Sequence, residues 1–176
     1  MIKSPAMIVR SYDGKHPRLG ERVFVADNAA IIGDVELGND CSIWFGTTVR
    51  GDVNFIRIGA RTNIQDNCTI HVAHDRHATV IAEEVTVGHG AIVHGCTVHR
   101  GALIGMGSRV LDGAVVGESA LVGAGALVSE GMIVPPRTLV VGVPAKVKRS
   151  LTDAELERLE ASWRGYVDYK EKYLNE

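Results

Sequence analysis

An apolar residue recurs every six positions through most of this chain, and few folds can use such a period. The beat runs Leu19, Val25, Ile31, Leu37, Ile43 and Val49, then resumes at Ile58, Ile64 and Ile70 and again at Ile81, Val87 and Val93. One shorter step leads to Val98. From there the regular step continues through Ile104, Val110, Val116, Val122, Val128 and Val134. An α-helix repeats about every 3.6 residues and a flat strand about every 2. A sustained period of six belongs to a parallel β-helix, in which each hexad is one short strand and a turn.

Three hexads close one triangular coil, and coils stack at the inter-strand spacing of about 4.8 Å. Leu19, Leu37, Ile58, Ile81, Val98 and Val116 then stack on a first face. Val25, Ile43, Ile64, Val87, Ile104 and Val122 stack on a second, and Ile31, Val49, Ile70, Val93, Val110 and Val128 on a third. The fourth residue after an anchor also points inward and is small: Ala29, Cys41, Thr47, Thr62, Cys68, Ala91, Ser108, Ala114, Ala120, Ala126. The residue directly after an anchor points out. An aromatic content of only 5% suits so narrow a prism.

The β-helix is expected over residues 1–148, with a short N-terminal lead-in, and a C-terminal α-helix packed on it over 149–176. Thr152 and Glu155 have capping-box spacing. Leu156, Leu159, Trp163, Tyr166, Val167 and Tyr173 form an amphipathic face. Two stretches interrupt the hexads, 53–57 and 72–80, and are expected to be functional loops flanking the histidine coils. Trp44 and Phe45 point outward, which suits a subunit interface. Cys41 and Cys68 fall in the small inward slot and read as buried small residues, while Cys96 shares a hexad with His94, where a ligand role is the weaker of the two readings.

A formal net charge of −2 gives no electrostatic case for nucleic acid or an anionic membrane. No apolar run is long enough to span a bilayer, and residues 1–17 carry no signal-peptide core. The cytoplasm is the expected location.

The histidines now have addresses. His71 follows Ile70 and His94 follows Val93, so they stack outward on the third face, one coil apart. Such a pair suits a metal bound about 2.0–2.1 Å from each ring nitrogen. His89 follows Val87 by two residues on the second face, roughly 15 Å away at strand rise. A second copy of the chain would have to supply it, and a symmetric homotrimer brings two histidines from one subunit to one from the next. Arg50, Asp52, Gln65 and Asp66 gather about one coil from the histidines. His16, Asp75 and His99 read as ordinary surface residues.

Arg50-Gly51-Asp52, Asn63-Ile64-Gln65-Asp66, His71, and His89 followed five residues later by His94 make the chain resemble the γ-class carbonic anhydrase-like proteins. Those are hexapeptide-repeat left-handed parallel β-helices with a C-terminal helix, and the resemblance covers nearly the whole chain. It implies a homotrimer in which His71, His89 and His94 hold Zn2+, or another divalent ion such as Fe2+ or Co2+, between subunits. It also implies reversible hydration of carbon dioxide to bicarbonate by a metal-bound hydroxide. Arg50 and Asp52 match an intersubunit ion pair, Gln65 a residue contacting substrate or metal-bound solvent, and Tyr166 a tyrosine near the site. Asp66 is grouped with them as a candidate catalytic residue.

There is one departure. The loop after His71 is short and lacks the glutamate that shuttles protons in the long acidic loops of active relatives. That leaves His74 or His77 for proton export. Two alternatives come from other classes: a hexapeptide acyltransferase or thioesterase using CoA, and a non-catalytic metal-bound trimeric scaffold.

Overall fold

The computed structural model describes residues 7–176. The first six residues of the expected lead-in lie outside them. The hexads form a parallel β-helix of very short strands, such as Ser42–Ile43, Asn63–Ile64 and Thr86–Val87.

Strand pairing follows the expected columns. On the first face Leu37 pairs with Ile58, Ile58 with Ile81, Ile81 with Val98 and Val98 with Val116. On the second face Ile43 pairs with Ile64, Ile64 with Val87 and Val87 with Ile104. On the third, Val49 pairs with Ile70, Ile70 with Val93 and Val93 with Val110. These branched anchors fill the prism axis, and the small residues beside them are buried too, from Ala29 and Thr47 to Ala120 and Ala126.

Leu19 departs from the inward rule and is 40% exposed. Its strand, Arg18–Leu19, pairs on one side alone among the described residues, so no coil closes over it. The cysteines are buried, and burial pushes the Cys41 and Cys96 thiols up to about 12 and Cys68 to about 11. They are packing residues, not nucleophiles.

The two interruptions differ. Residues 53–57, expected as a loop, lie inside an unbroken strand, Thr48–Ile58. It pairs with Thr69–His71 through its first half and with Thr79–Ile81 through its second. The preceding strand, Ala30–Leu37, turns the same corner beside it, with a register shift between Gly33 and Val35. The two backbones approach so closely there that a Cβ on Gly33 would lie 2.3 Å from the Gly51 carbonyl oxygen. The extra residues are therefore absorbed as a bulge in the longer strand, where Gly33 pairs with Gly51 but Val35 pairs with Ile56. Residues 72–78 do form a loop, closed by an antiparallel bridge between Ala73 and His77, with His74, Asp75 and Arg76 exposed at its tip, while Thr79 and Val80 already belong to the next strand.

Strand Lys146–Ser150 folds back antiparallel on Thr138–Val141 and leads into the helix Asp153–Leu174 (α1). Thr152 and Glu155 complete a reciprocal capping box at its start. Helix α1 runs along the second face and packs on Phe24–Val25, Ser42–Ile43, Asn63–Ile64 and Thr86–Val87. Its own Leu159 and Trp163 are buried.

Lys170 is fully buried as well. Its ammonium donates to Asp40 Oδ1 at 3.0 Å and to the Glu171 carboxylate. Trp44, expected to await another subunit, is covered by this helix instead. It is 6% exposed, with its ring 5.3 Å from Tyr166 and 5.4 Å from Tyr173. Among the described residues no helix is long and apolar enough to cross a membrane.

Candidate metal centre

Stacked strands of the third face set His71 and His94 side by side, because Ile92-Val93-His94 pairs in register with Thr69-Ile70-His71. Their rings meet with His71 Nδ1 3.0 Å from His94 Nε2. The remaining nitrogen of each ring points at a carboxylate: His71 Nε2 lies 3.0 Å from Asp52 Oδ1, and His94 Nδ1 contacts Asp112 Oδ1. An ionised carboxylate only accepts, so those outer nitrogens carry the protons in the neutral rings. The two inner nitrogens then face each other with lone pairs, which is favourable only with a proton or a cation between them.

His89 stands on the second face, about half exposed, with its Nδ1 2.7 Å from Asp66 Oδ2. Each of the three histidines thus has one nitrogen set against its own aspartate, while the second nitrogens of His71 and His94 face each other. Histidines that bind metals are commonly oriented in this way.

Among the described residues, no group of three or more His, Cys, Asp or Glu side chains is gathered to hold a metal ion within one chain. The third face presents two nitrogen donors and the second face presents one, so a complete set requires face to meet face between copies. The donors fit a divalent ion of zinc type, which takes neutral imidazole nitrogens. Two such donors on a tetrahedral ion lie about 3.3 Å apart, so the observed 3.0 Å requires only a small opening. Burial, then the charge of Arg50, lowers the His71 pKa against the opposing pull of Asp52, which favours the neutral ring.

The other expected residues sort as follows. Arg50 pairs with Asp52 within the chain. Burial works against ionisation of Asp52, but hydrogen bonds from His71 and Arg50 and the charge of Arg50 together lower its pKa. Gln65 is buried, donates from Nε2 to Asn63 Oδ1 at 3.2 Å and accepts the His89 backbone N–H at 3.2 Å. Asn63 is anchored in turn by Thr86 Oγ1 at 2.9 Å.

A mostly apolar cleft of about 360 Å³ runs beside His89, lined by Gln65, Leu103, Met106 and Leu121. Tyr166, on the helix, sets its ring beside Trp44 and Asp66, and burial, then the Asp66 charge, raises its pKa. His74 is 73% exposed and pairs with Asp75. The His77 side chain instead lies over Gly95 and Gly113, next to the corner that follows His94.

Sequence reasoning missed Asp112. Its signal was present, because it follows His94 by 18 residues, the spacing that also joins Arg18 to Glu36 and Arg22 to Asp40.

This architecture defines a hexapeptide-repeat β-helix with histidines on two of its faces, and comparison with known proteins narrows the class. The profile "Bacterial transferase hexapeptide (six repeats)" matches residues 16–51. The chain is 45% identical to Protein YrdA of Escherichia coli over 96% of its own length and 95% of that protein. It is 47% identical to a carbonic anhydrase of Geobacillus kaustophilus over 94% of its length and 91% of that protein. A crystal structure from Bacillus cereus, provisionally described as an acetyltransferase, superposes with a TM-score of 0.93 at 45% identity, covering 97% of this chain and 98% of that one. The chain belongs to the γ-class carbonic anhydrase-like family of hexapeptide-repeat proteins.

Proposed function

We propose that this protein is a γ-class carbonic anhydrase-like metalloprotein of the cytoplasm that hydrates carbon dioxide reversibly at sites shared between subunits of a homotrimer. The observation that carries this reading is the pair of inner nitrogens of His71 and His94, 3.0 Å apart and each backed by an aspartate. His71 and His94 of one subunit and a neighbour's His89 would hold the ion, Zn2+ first and Fe2+ or Co2+ next. When bound, the ion supplies Lewis-acid activation of water near neutral pH.

The chain's own residues do the rest. Asp52, Asp66 and Asp112 keep one nitrogen of each histidine protonated and the other free to bind. Gln65 is held by Asn63 and by the His89 backbone. Its second Nε2 hydrogen is left to direct a substrate oxygen. Leu103, Met106 and Leu121 form an apolar wall beside His89 that a second subunit would cover and along which a small apolar gas can approach. Proton export falls to His77 rather than His74, because His77 lies at the corner next to His94.

The test is metal analysis of protein prepared without chelator, combined with a carbon dioxide hydration assay. We expect about one divalent ion per chain, lost in large part on replacing His71, His89 or His94 with Ala. Hydration should exceed the free-ion control between about pH 6 and 9, the range around the pKa of activated water. Full metal content in His71→Ala and His89→Ala would overturn the ligand set. A loaded trimer without hydration would leave the scaffold as the better account. CoA retained without metal would favour the acyltransferase or thioesterase.

A further inference from the structure

The geometry points to Asp112 as a positioning residue: we infer that its carboxylate fixes the His94 ring so that Nε2, not Nδ1, is the donor turned toward the shared metal. This inference rests on the metal reading above and adds a residue to it.

The first observation is the contact itself. Asp112 Oδ1 takes the Nδ1 side of His94, while Nε2 of the same ring faces His71 Nδ1 at 3.0 Å. A carboxylate cannot donate, so the contact selects the Nδ1–H tautomer and leaves the Nε2 lone pair free. The second observation is how the carboxylate gets there. Asp112 lies on the coil below His94 and reaches it across the corner formed by Gly95. A Cβ at Gly95 would sit 2.5 Å from Asp112 Oδ1, so a side chain at that position would occupy the path. Gly95 also has φ +56°, a conformation that glycine adopts cheaply.

The third observation separates Asp112 from the other two aspartates. Asp52 is shared between His71 and Arg50, and Asp66 stands beside Tyr166 at the helix edge as well as on His89. Asp112 makes its one ion-pair contact, among the described residues, with His94. It is partly buried, with a side chain 22% exposed, and has no arginine or lysine there to serve. A carboxylate so placed has the ring as its partner, and its loss should act on metal affinity through ring orientation, not on fold stability.

Asp112→Ala and the isosteric Asp112→Asn are compared with the wild type in three measurements. These are cobalt(II) affinity by chelator competition, the cobalt absorption spectrum, and the His94 imidazole tautomer by nitrogen NMR of the metal-free protein. We expect Asp112→Ala to bind the ion about 10–100-fold more weakly, with an altered cobalt spectrum and loss of the single Nδ1–H tautomer. The melting temperature of the metal-free protein should be unchanged. Asp112→Asn, which keeps an acceptor oxygen, should fall between the two. Wild-type affinity and spectrum in both variants would overturn the role of Asp112 while leaving the metal reading intact. Failure of the wild type itself to bind cobalt or zinc would overturn both. A lowered melting temperature in both variants, with normal affinity in the folded fraction, would make Asp112 a structural residue and overturn the inference.

Discussion

Gln65 is buried, and both its amide nitrogen and its amide oxygen are engaged within the chain. Its side chain is therefore fixed before any substrate arrives. Since it supplies no metal-binding nitrogen lone pair, Gln65→Ala should leave metal content unchanged and lower the hydration rate about 100–1,000-fold, the scale of removing one prepositioned donor. Stopped-flow hydration alongside metal analysis checks this. A rate equal to wild type would remove Gln65 from the mechanism, and loss of metal would give it a structural part instead. The residue-scale reading from sequence was good wherever a side chain's place follows from the coil count. Stacking of His71 on His94 follows from their positions after Ile70 and Val93. It failed where a side chain reaches around a corner. Asp112 touches His94 only because Gly95 leaves a path, and hydrophobic periodicity carries no record of such a path.

Elements were legible to the extent that each hexad faces the same environment. Anchors and small slots describe the strands because the interior is one continuous column, and every coil repeats its neighbours' packing. Capping-box residues marked the helix start for the same local reason. Contacts between unlike elements were not legible. An amphipathic pattern leaves Lys170 out of the buried face, yet it is fully buried with Asp40 and the neighbouring Glu171 carboxylate. Trp44 meets the helix and not another subunit.

Glu84 belongs to the same scale, since it joins coils through Arg61 Nη2 at 2.8 Å and Arg100 Nε at 2.7 Å. Burial works against its ionisation, but the hydrogen bonds and charges of Arg100 and Arg61 lower its pKa below the usual carboxylate value. A lowered folded-state pKa contributes stability that is complete above the unfolded value, about 4.3, and is lost as pH falls through the folded one. Glu84→Gln should therefore be less stable at pH 7 by about 1–2 kcal/mol, the arginines being partly exposed and screened. The difference should shrink below about pH 4. Denaturation at fixed protein concentration tests this, and an equal difference at both pH values would show that the ion pairs are not its source.

At the scale of the whole molecule, one chain carries an incomplete donor set: two histidines on its third face and one on its second. In the proposed homotrimer, cyclic symmetry would repair this without any change in the chain, each third face meeting a neighbour's second face around a ring. The apolar cleft beside His89 supports that docking surface, and the half-exposed His89 ring is free on its outer side. The arrangement has a genetic signature. A His89→Ala subunit still carries His71 and His94, and a His94→Ala subunit still carries His89. Each variant alone lacks one donor at every site, so neither should hold metal well or hydrate carbon dioxide. Refolded together at equal amounts, random pairing should place an intact third face against an intact second face at about one site in four. Metal content and hydration should both rise to about that fraction of wild type, with a molecular mass in solution of three chains. The control is a mixture of His71→Ala with His94→Ala, which damages the same face in both partners and should rescue nothing. Equal behaviour of the two mixtures, or a monomer with full metal content, would remove the shared site and with it the reason for a trimer.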